Sequence, residues 1–447
     1  MTSPSRRLLA RHTLALSALG ALAPFAISNA AQAQAGGDIA QRVSAVTDGD
    51  VHLTYASRAE ACGDGRNVVG MGSSVRVGAS SNNDGRWYGT PCVRGPAHVE
   101  ITVRDRQIVA IRTRIGGPWP ASASAVELGT VSAPVAAAYF LSLAPRNDAD
   151  SRVDPLLAAA VADSVNVVPD MLRIARTASI SRETRRRAVH WTGALGDASA
   201  VAPLVEIARA DGETPRSNPD DVGPGDRLQS AAVGALSMLR DDAGLPALMD
   251  LGRRGTTAVR KAALFWLGQR DESAPRAFVR AVAADAREDE VLRGTAIFAL
   301  GQGSTPTAAD RAFLRDLFGK LSSERLQDRV LMSLAQSENT DDIRWMLAQA
   351  RSASVPMEVR RKAVFWAGQG HASLADLTSL YHQVQESRLR EHVIFVMSQR
   401  DDERAVQALL DIARSDDDHQ MRKKALFWLA QKDDPRVTRL IAELVAR

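Results

Sequence analysis

The chain has 447 residues, 45% of them hydrophobic and 24% charged, a balance that excludes collagen-like, coiled-coil-rod and wholly disordered chains. Lys and Arg number 56 against 52 Asp and Glu, so the formal net charge is only +4 and no overall polyanion-binding excess exists. Two cysteines exclude a disulfide-rich scaffold and any four-cysteine metal site.

Residues 1–35 read as a secretory signal peptide. Arg6, Arg7 and Arg11 precede an apolar run from Leu14 to Ile27, and small residues follow in Ala-x-Ala form at Ala31-Gln32-Ala33 and Ala33-Gln34-Ala35. The run is shorter than the ~20 residues a spanning helix needs. No later apolar run is long enough to cross a membrane, so the expectation is an exported protein, periplasmic or extracellular, without stable membrane insertion. Ser5-Arg6-Arg7-Leu8-Leu9 leaves open twin-arginine or general export. In an oxidising compartment Cys62 and Cys92 are expected to bond to each other. Closing that loop would contribute about 3–4 kcal/mol in the chain-entropy model.

Residues 38–145 are expected to form a small β-rich domain. Turn chemistry marks Gly63-Asp64-Gly65 and Ser80 to Gly85. Val99, Ile101 and Val103 alternate with polar residues, as do Val109, Ile111 and Ile115, so each run reads as a strand with one buried face. Their parity predicts a three-residue turn, Asp105-Arg106-Gln107, that pairs Val103 with Val109 and Ile101 with Ile111. Residues 131–143 follow as a short helix.

From residue 150 to 447 one unit repeats. Lys261-Ala262-Ala263-Leu264-Phe265-Trp266-Leu267-Gly268-Gln269 aligns with Arg361-Lys362-Ala363-Val364-Phe365-Trp366-Ala367-Gly368-Gln369, and again with Lys423 to Gln431. The aliphatic marker falls at Val189, Val233, Leu264, Ile297, Leu331, Val364, Ile394 and Leu426, with successive spacings of 44, 31, 33, 34, 33, 30 and 32 residues. A loop-type insertion at 211–226 accounts for the long first step. Each unit holds two amphipathic helical stretches around an Asp-rich turn. Such a pair cannot bury its apolar face alone, so about eight pairs must stack.

The aliphatic-Arg pair that opens the second helix appears as Val259-Arg260, Leu292-Arg293, Val359-Arg360, Leu389-Arg390 and Met421-Arg422, with Thr184-Arg185 a variant. Leu228-Gln229 and Leu326-Gln327 depart from it. With the acidic turn before it and Gly or Ala near the helix end, the unit resembles HEAT repeats of the short phycobilisome-lyase type. That resemblance covers about 165–447 and implies a right-handed α-solenoid behind the β-rich domain. It also implies that Arg185, Arg260, Arg293, Arg360, Arg390 and Arg422 form a structural column, each pairing with an acidic turn.

The neighbouring cations Arg186, Arg187, Lys261, Arg361, Lys362, Lys423 and Lys424 read as a solvated face or a basic ridge. Trp191, Trp266, Trp366 and Trp428 share the slot after Phe265, Phe298, Phe365, Phe395 and Phe427. Adjacent helix positions point about 100° apart, so only one slot can face the core. The Phe slot is expected there, and the Trp slot either packs between repeats or forms a partner-binding stripe. Gln269, Gln302, Gln336, Gln369, Gln399 and Gln431 recur at the helix end, suited to capping free carbonyls.

No His-Glu-x-x-His, Walker loop, nucleophile elbow or dinucleotide fingerprint occurs, and the histidines lack metal-ligand spacing. The expectation is therefore a non-enzymatic exported scaffold or adaptor with no cofactor, no metal and no nucleic acid, which binds a protein partner on the solenoid. A lyase-like or enzyme-accessory role is the alternative, as is envelope-polymer binding through Trp87, Tyr88 and Trp119.

Overall fold

Val51, Leu53 and Tyr55 alternate with polar neighbours, and that alternation makes β1 (Gly49–Tyr55) the centre of the N-terminal sheet. β1 pairs antiparallel with β5 (Ala97–Arg104) and parallel with β7 (Val126–Thr130), while β6 (Gln107–Ile115) extends the sheet beyond β5. A second sheet holds β2 (Ala61–Gly63), β3 (Val68–Met71) and β4 (Val75–Arg76), and the Cys62–Cys92 disulfide ties it to the chain entering β5. The computed structural model describes residues 38–71, 75–76, 92–117, 124–146, 152–210, 227–302, 307–432 and 434–445. Residues 1–35, where a signal peptide is expected, Trp87, Tyr88, Trp119 and the insertion 211–226 lie outside the described residues.

The β5–β6 turn differs from the sequence expectation. Only Asp105 and Arg106 form it, both with positive φ, so Arg104 faces Gln107 and Val103 faces Ile108. Two consecutive left-handed residues are what the twist of a two-residue hairpin demands. A register shift between Thr102 and Val103 then restores the expected facing of Ile101 and Ile111. Val109 is the extra residue, which is how a β-bulge corrects parity. The Arg106 amide is held by Thr47 O at 2.9 Å.

Helix Ala133–Leu143 covers the apolar side of the sheet, with the Phe140 and Tyr55 rings 6.3 Å apart. The short helix Pro155–Ala160 links this module to the repeats. Tyr55 Oη donates to Ala158 O at 2.6 Å and Arg58 Nε to Ala160 O at 2.8 Å. Both donors enter carbonyls at a helix end, where free acceptors exist.

Eight helix pairs follow among the described residues. They are Val168–Arg176 with Arg182–Leu195, Val201–Arg209 with Leu228–Met238, Leu245–Arg254 with Thr257–Gly268, and Ser273–Ala284 with Glu290–Gly301. Then come Ala308–Phe318 with Glu324–Ala335, Thr340–Arg351 with Met357–Gln369, Leu374–Gln383 with Ser387–Ser398, and Glu403–Ser415 with His419–Leu429, closed by Pro435–Val445. Ser181, Thr256, Asp289, Ser323 and Asp418 start second helices by accepting their first free amides. The stacked pairs form an α-solenoid.

Successive second helices pack directly on one another, whereas successive first helices touch sparingly. Closer spacing in one layer curves the stack, and the second helices are its inner layer. Glycine permits the approach. A Cβ at Gly268 would lie 2.6 Å from Ala299 Cβ and 2.8 Å from its carbonyl oxygen, and one at Gly301 would meet Ser333 at the same distances.

Candidate functional site: the inner face of the helix array

The Arg side chains at the start of the second helices do two things. Nε donates to a carbonyl at the end of the preceding first helix: Arg185 to Ala175 at 2.8 Å, Arg260 to Gly252 at 2.9 Å, Arg293 to Ala283 at 3.2 Å, and Arg360 to Ala350 at 2.7 Å. The outer nitrogens of three of the column's arginines reach the acidic turn of the next pair. Arg260 Nη1 lies 3.1 Å from Glu288, Arg360 Nη1 2.6 Å from Glu386, and Arg390 Nη2 2.6 Å from Asp416. Arg390 also lies over the Tyr381 ring, and Arg422 donates to Asp416 O at 2.6 Å. The pair with Arg260 holds Glu288 below the usual carboxylate range, and Arg360 does the same to Glu386. Where the column departs from Arg, an amide makes the carbonyl contact: Gln229 reaches Ala210 O, and Gln327 reaches Phe318 O and Leu321 O.

A second set of ion pairs joins first helices and had no counterpart in the sequence reading. Arg276 and Arg280 both bind Asp310 of the next pair, at 2.5 and 2.7 Å. Arg311 and Arg315 repeat the arrangement on Asp342, at 3.0 and 3.3 Å. Asp310 and Asp342 are wholly buried. Burial pushes the Asp342 carboxyl up against the pull of Arg315 and Arg311. The signal available was the Arg-x-x-x-Arg spacing at 276/280 and 311/315, which puts both cations on one helix face.

The Trp slot takes the first of its two expected places, packed between repeats, and the Phe slot departs from the core place expected of it. Trp191 is only 4% exposed and drops out of any exposed row. Trp266, Trp366 and Trp428 are partly buried because each leans back on the preceding second helix. Trp266 Nε1 stands over Gly234, Trp366 Nε1 donates to Asp328 at 2.7 Å, and the Trp428 and Phe395 rings are 5.2 Å apart. The Phe slot, expected in the core, instead faces inward and open. Phe265, Phe298, Phe365 and Phe395 are half-buried, Met332 takes the same slot, and Phe427 is 59% exposed. Phe265 stacks on Phe298 at 6.3 Å. The aliphatic marker takes the core direction, and the next position, turned about 100° from it, falls on the open side.

Charge on this face is largely compensated. Lys362 pairs with Asp328 at 3.0 Å, Lys424 with Glu391 at 3.1 Å and Arg361 with Glu358 at 2.9 Å. Arg186 and Arg187 share one carboxylate, Glu183, each at 3.2 Å. The recurrent glutamines do little capping. Gln431 donates to Phe427 O, Gln399 to Ser398, and Gln269 Nε2 is buried without an acceptor. Main-chain amides already close these helix ends, as Gln269 N does on Trp266 O.

Among the described residues no helix is long and apolar enough to cross a membrane, and no group of three or more His, Cys, Asp or Glu is placed to hold a metal ion.

No family model matches the chain, and no curated protein matches it. The solved structures that match it include two of low identity. The complex of CpcE and CpcF of phycocyanin lyase from Nostoc sp. PCC7120 is 14% identical, with 60% of this chain and 95% of that one covered and a TM-score of 0.28. Human deoxyhypusine hydroxylase is 17% identical, with 55% and 94% covered and a TM-score of 0.23. Overlaps this loose leave the activities and partners of those proteins with those proteins.

Proposed function

We propose that this chain is an exported, non-enzymatic HEAT-like scaffold that holds a protein partner against the inner face of its solenoid. One observation carries the reading. The Phe slot is aromatic in five of the eight pairs, yet its side chains are half-buried or exposed rather than core. Folding does not require a large apolar residue at an open position, and a recurrent aromatic slot on one face is the composition that binding surfaces favour. The compensated charges around the row fit a partner recognised by apolar contact more than by net charge. Export rests on the tripartite pattern of residues 1–35.

A photo-crosslinking phenylalanine at position 427 tests the reading, with position 407 on the exposed side of a first helix as control. A discrete adduct in the envelope fraction from position 427 and none from 407 supports it. Equal adducts from both positions, or none from 427, would refute it.

A further inference from the structure

At the second pair the aromatic row is interrupted, because Gly234 takes the Phe slot and Ala235 the Trp slot. The missing side chains leave a recess of about 450 Å³, walled by Trp266 from the next pair and by Arg186, Arg187 and His190 from the one before. Glu183 is the single carboxylate in its wall, and two arginines divide it. The recess therefore carries cation in excess, in contrast to the one-to-one pairs at Lys362 and Lys424. Two N–H groups at its wall, Arg186 Nε and Trp266 Nε1, are buried and have no acceptor among the described residues. A buried donor without a partner is costly, and the part-exposed guanidinium groups of Arg186 and Arg187 put positive charge where an anion can reach it. His190 stands exposed at the rim of the recess.

Resting on the inner-face reading above, we infer that this recess takes the C-terminal carboxylate of an extended partner segment lying along the Phe row. The terminus is favoured over a mid-chain Asp or Glu by what lies behind the recess. Helix Pro155–Ala160 packs on Arg182–Leu195 there, Asp154 at its head is acidic, and the β-rich module closes over that helix through Tyr55. A chain arriving along the row meets that helix, with the Asp154 carboxylate at its head. The row runs from Phe427 to Phe265 across six pairs. At the 8–10 Å usual between packed helices and about 3.3 Å per extended residue, roughly a dozen residues occupy most of it.

The test is retention of two pooled random dodecapeptide libraries on the immobilised full chain, one with free C-terminal carboxylates and one amidated. The free-acid pool should be retained about tenfold more strongly, as one charge-assisted contact allows. Arg186→Gln/Arg187→Gln should bring the ratio to one. If that variant does not fold, Ala231→Glu, which adds a negative charge to the recess wall, must lower the ratio instead. Phe395→Ser/Phe427→Ser should weaken both pools alike. Equal retention of the two pools, still dependent on the Phe row, overturns the recess and leaves the inner face standing. Retention that ignores the Phe row overturns the reading beneath it, and retention of neither pool overturns the inference.

Discussion

The two layers of the solenoid are joined by different physics. In the middle of the array neighbouring first helices meet through buried charge, with Asp310 and Asp342 each gripped by two arginines. Neighbouring second helices meet through near-contact of backbone, made by Gly268 and Gly301. Charged side chains are long and hold the outer layer apart, whereas glycine draws the inner layer together. Curvature follows from that difference, and so does the availability of an inner surface on which the Phe slot is open.

The largest expected effect breaks the outer layer. Asp310→Ala leaves Arg276, itself only 4% exposed, without its buried partner, and should cost about 3–5 kcal/mol by denaturant unfolding. The double change Arg276→Met/Asp310→Leu should recover most of that loss, because the desolvated cation goes with its partner. A single variant that unfolds like wild type would show that the outer layer is not held by charge.

Next in size is the inner layer. Gly268→Val places a side chain where Ala299 backbone already stands and should destabilise by about 1–3 kcal/mol. Small-angle scattering should also show a less curved array. Unchanged stability and shape would remove the glycine contacts as the cause of curvature.

The Arg column bridges the layers and sharpens the contrast. Arg360→Ala removes a buried carbonyl contact and the Glu386 pair, for an expected loss of about 1–3 kcal/mol. The pH sign follows from the direction of the shift. Glu288 and Glu386 sit below their ordinary value of 4.5 when folded. Their contribution is therefore complete above that pH and disappears as pH falls through the depressed folded values. Wild type should lose more melting temperature between pH 5 and pH 3 than Arg260→Gln/Arg360→Gln does, and equal losses would contradict the pairing.

What could be read from sequence follows the same division. Regular spacing of Val189 to Leu426 exposed the helix pairs, because every pair must bury the same aliphatic position. The Cys62–Cys92 bond was legible because no other thiol competes. The fate of the aromatic slots was not. Phe265 and Trp266 are both large and apolar, and only the approach of the preceding helix at Gly234 decides which one turns inward. Asp310 and Asp342 look like ordinary solvated helix residues until the next helix delivers two arginines to each. Strand β1 (Gly49–Tyr55) also carried a readable alternation, at Val51, Leu53 and Tyr55. The bulge at Val109 was hidden because parity alone does not show which turn the backbone will adopt.

The smallest expected effect on stability tests the central claim, that the inner Phe row serves binding and not folding. Phe365→Ser/Phe427→Ser should be measured in one experiment for thermal melting and for formation of the crosslinked adduct from a photo-crosslinker at position 190. The account predicts a shift of only a few degrees, since Phe427 is mostly exposed and Phe365 only half-buried, together with loss of the adduct. Cooperative unfolding of the variant at ambient temperature, or an adduct yield equal to wild type, would contradict it.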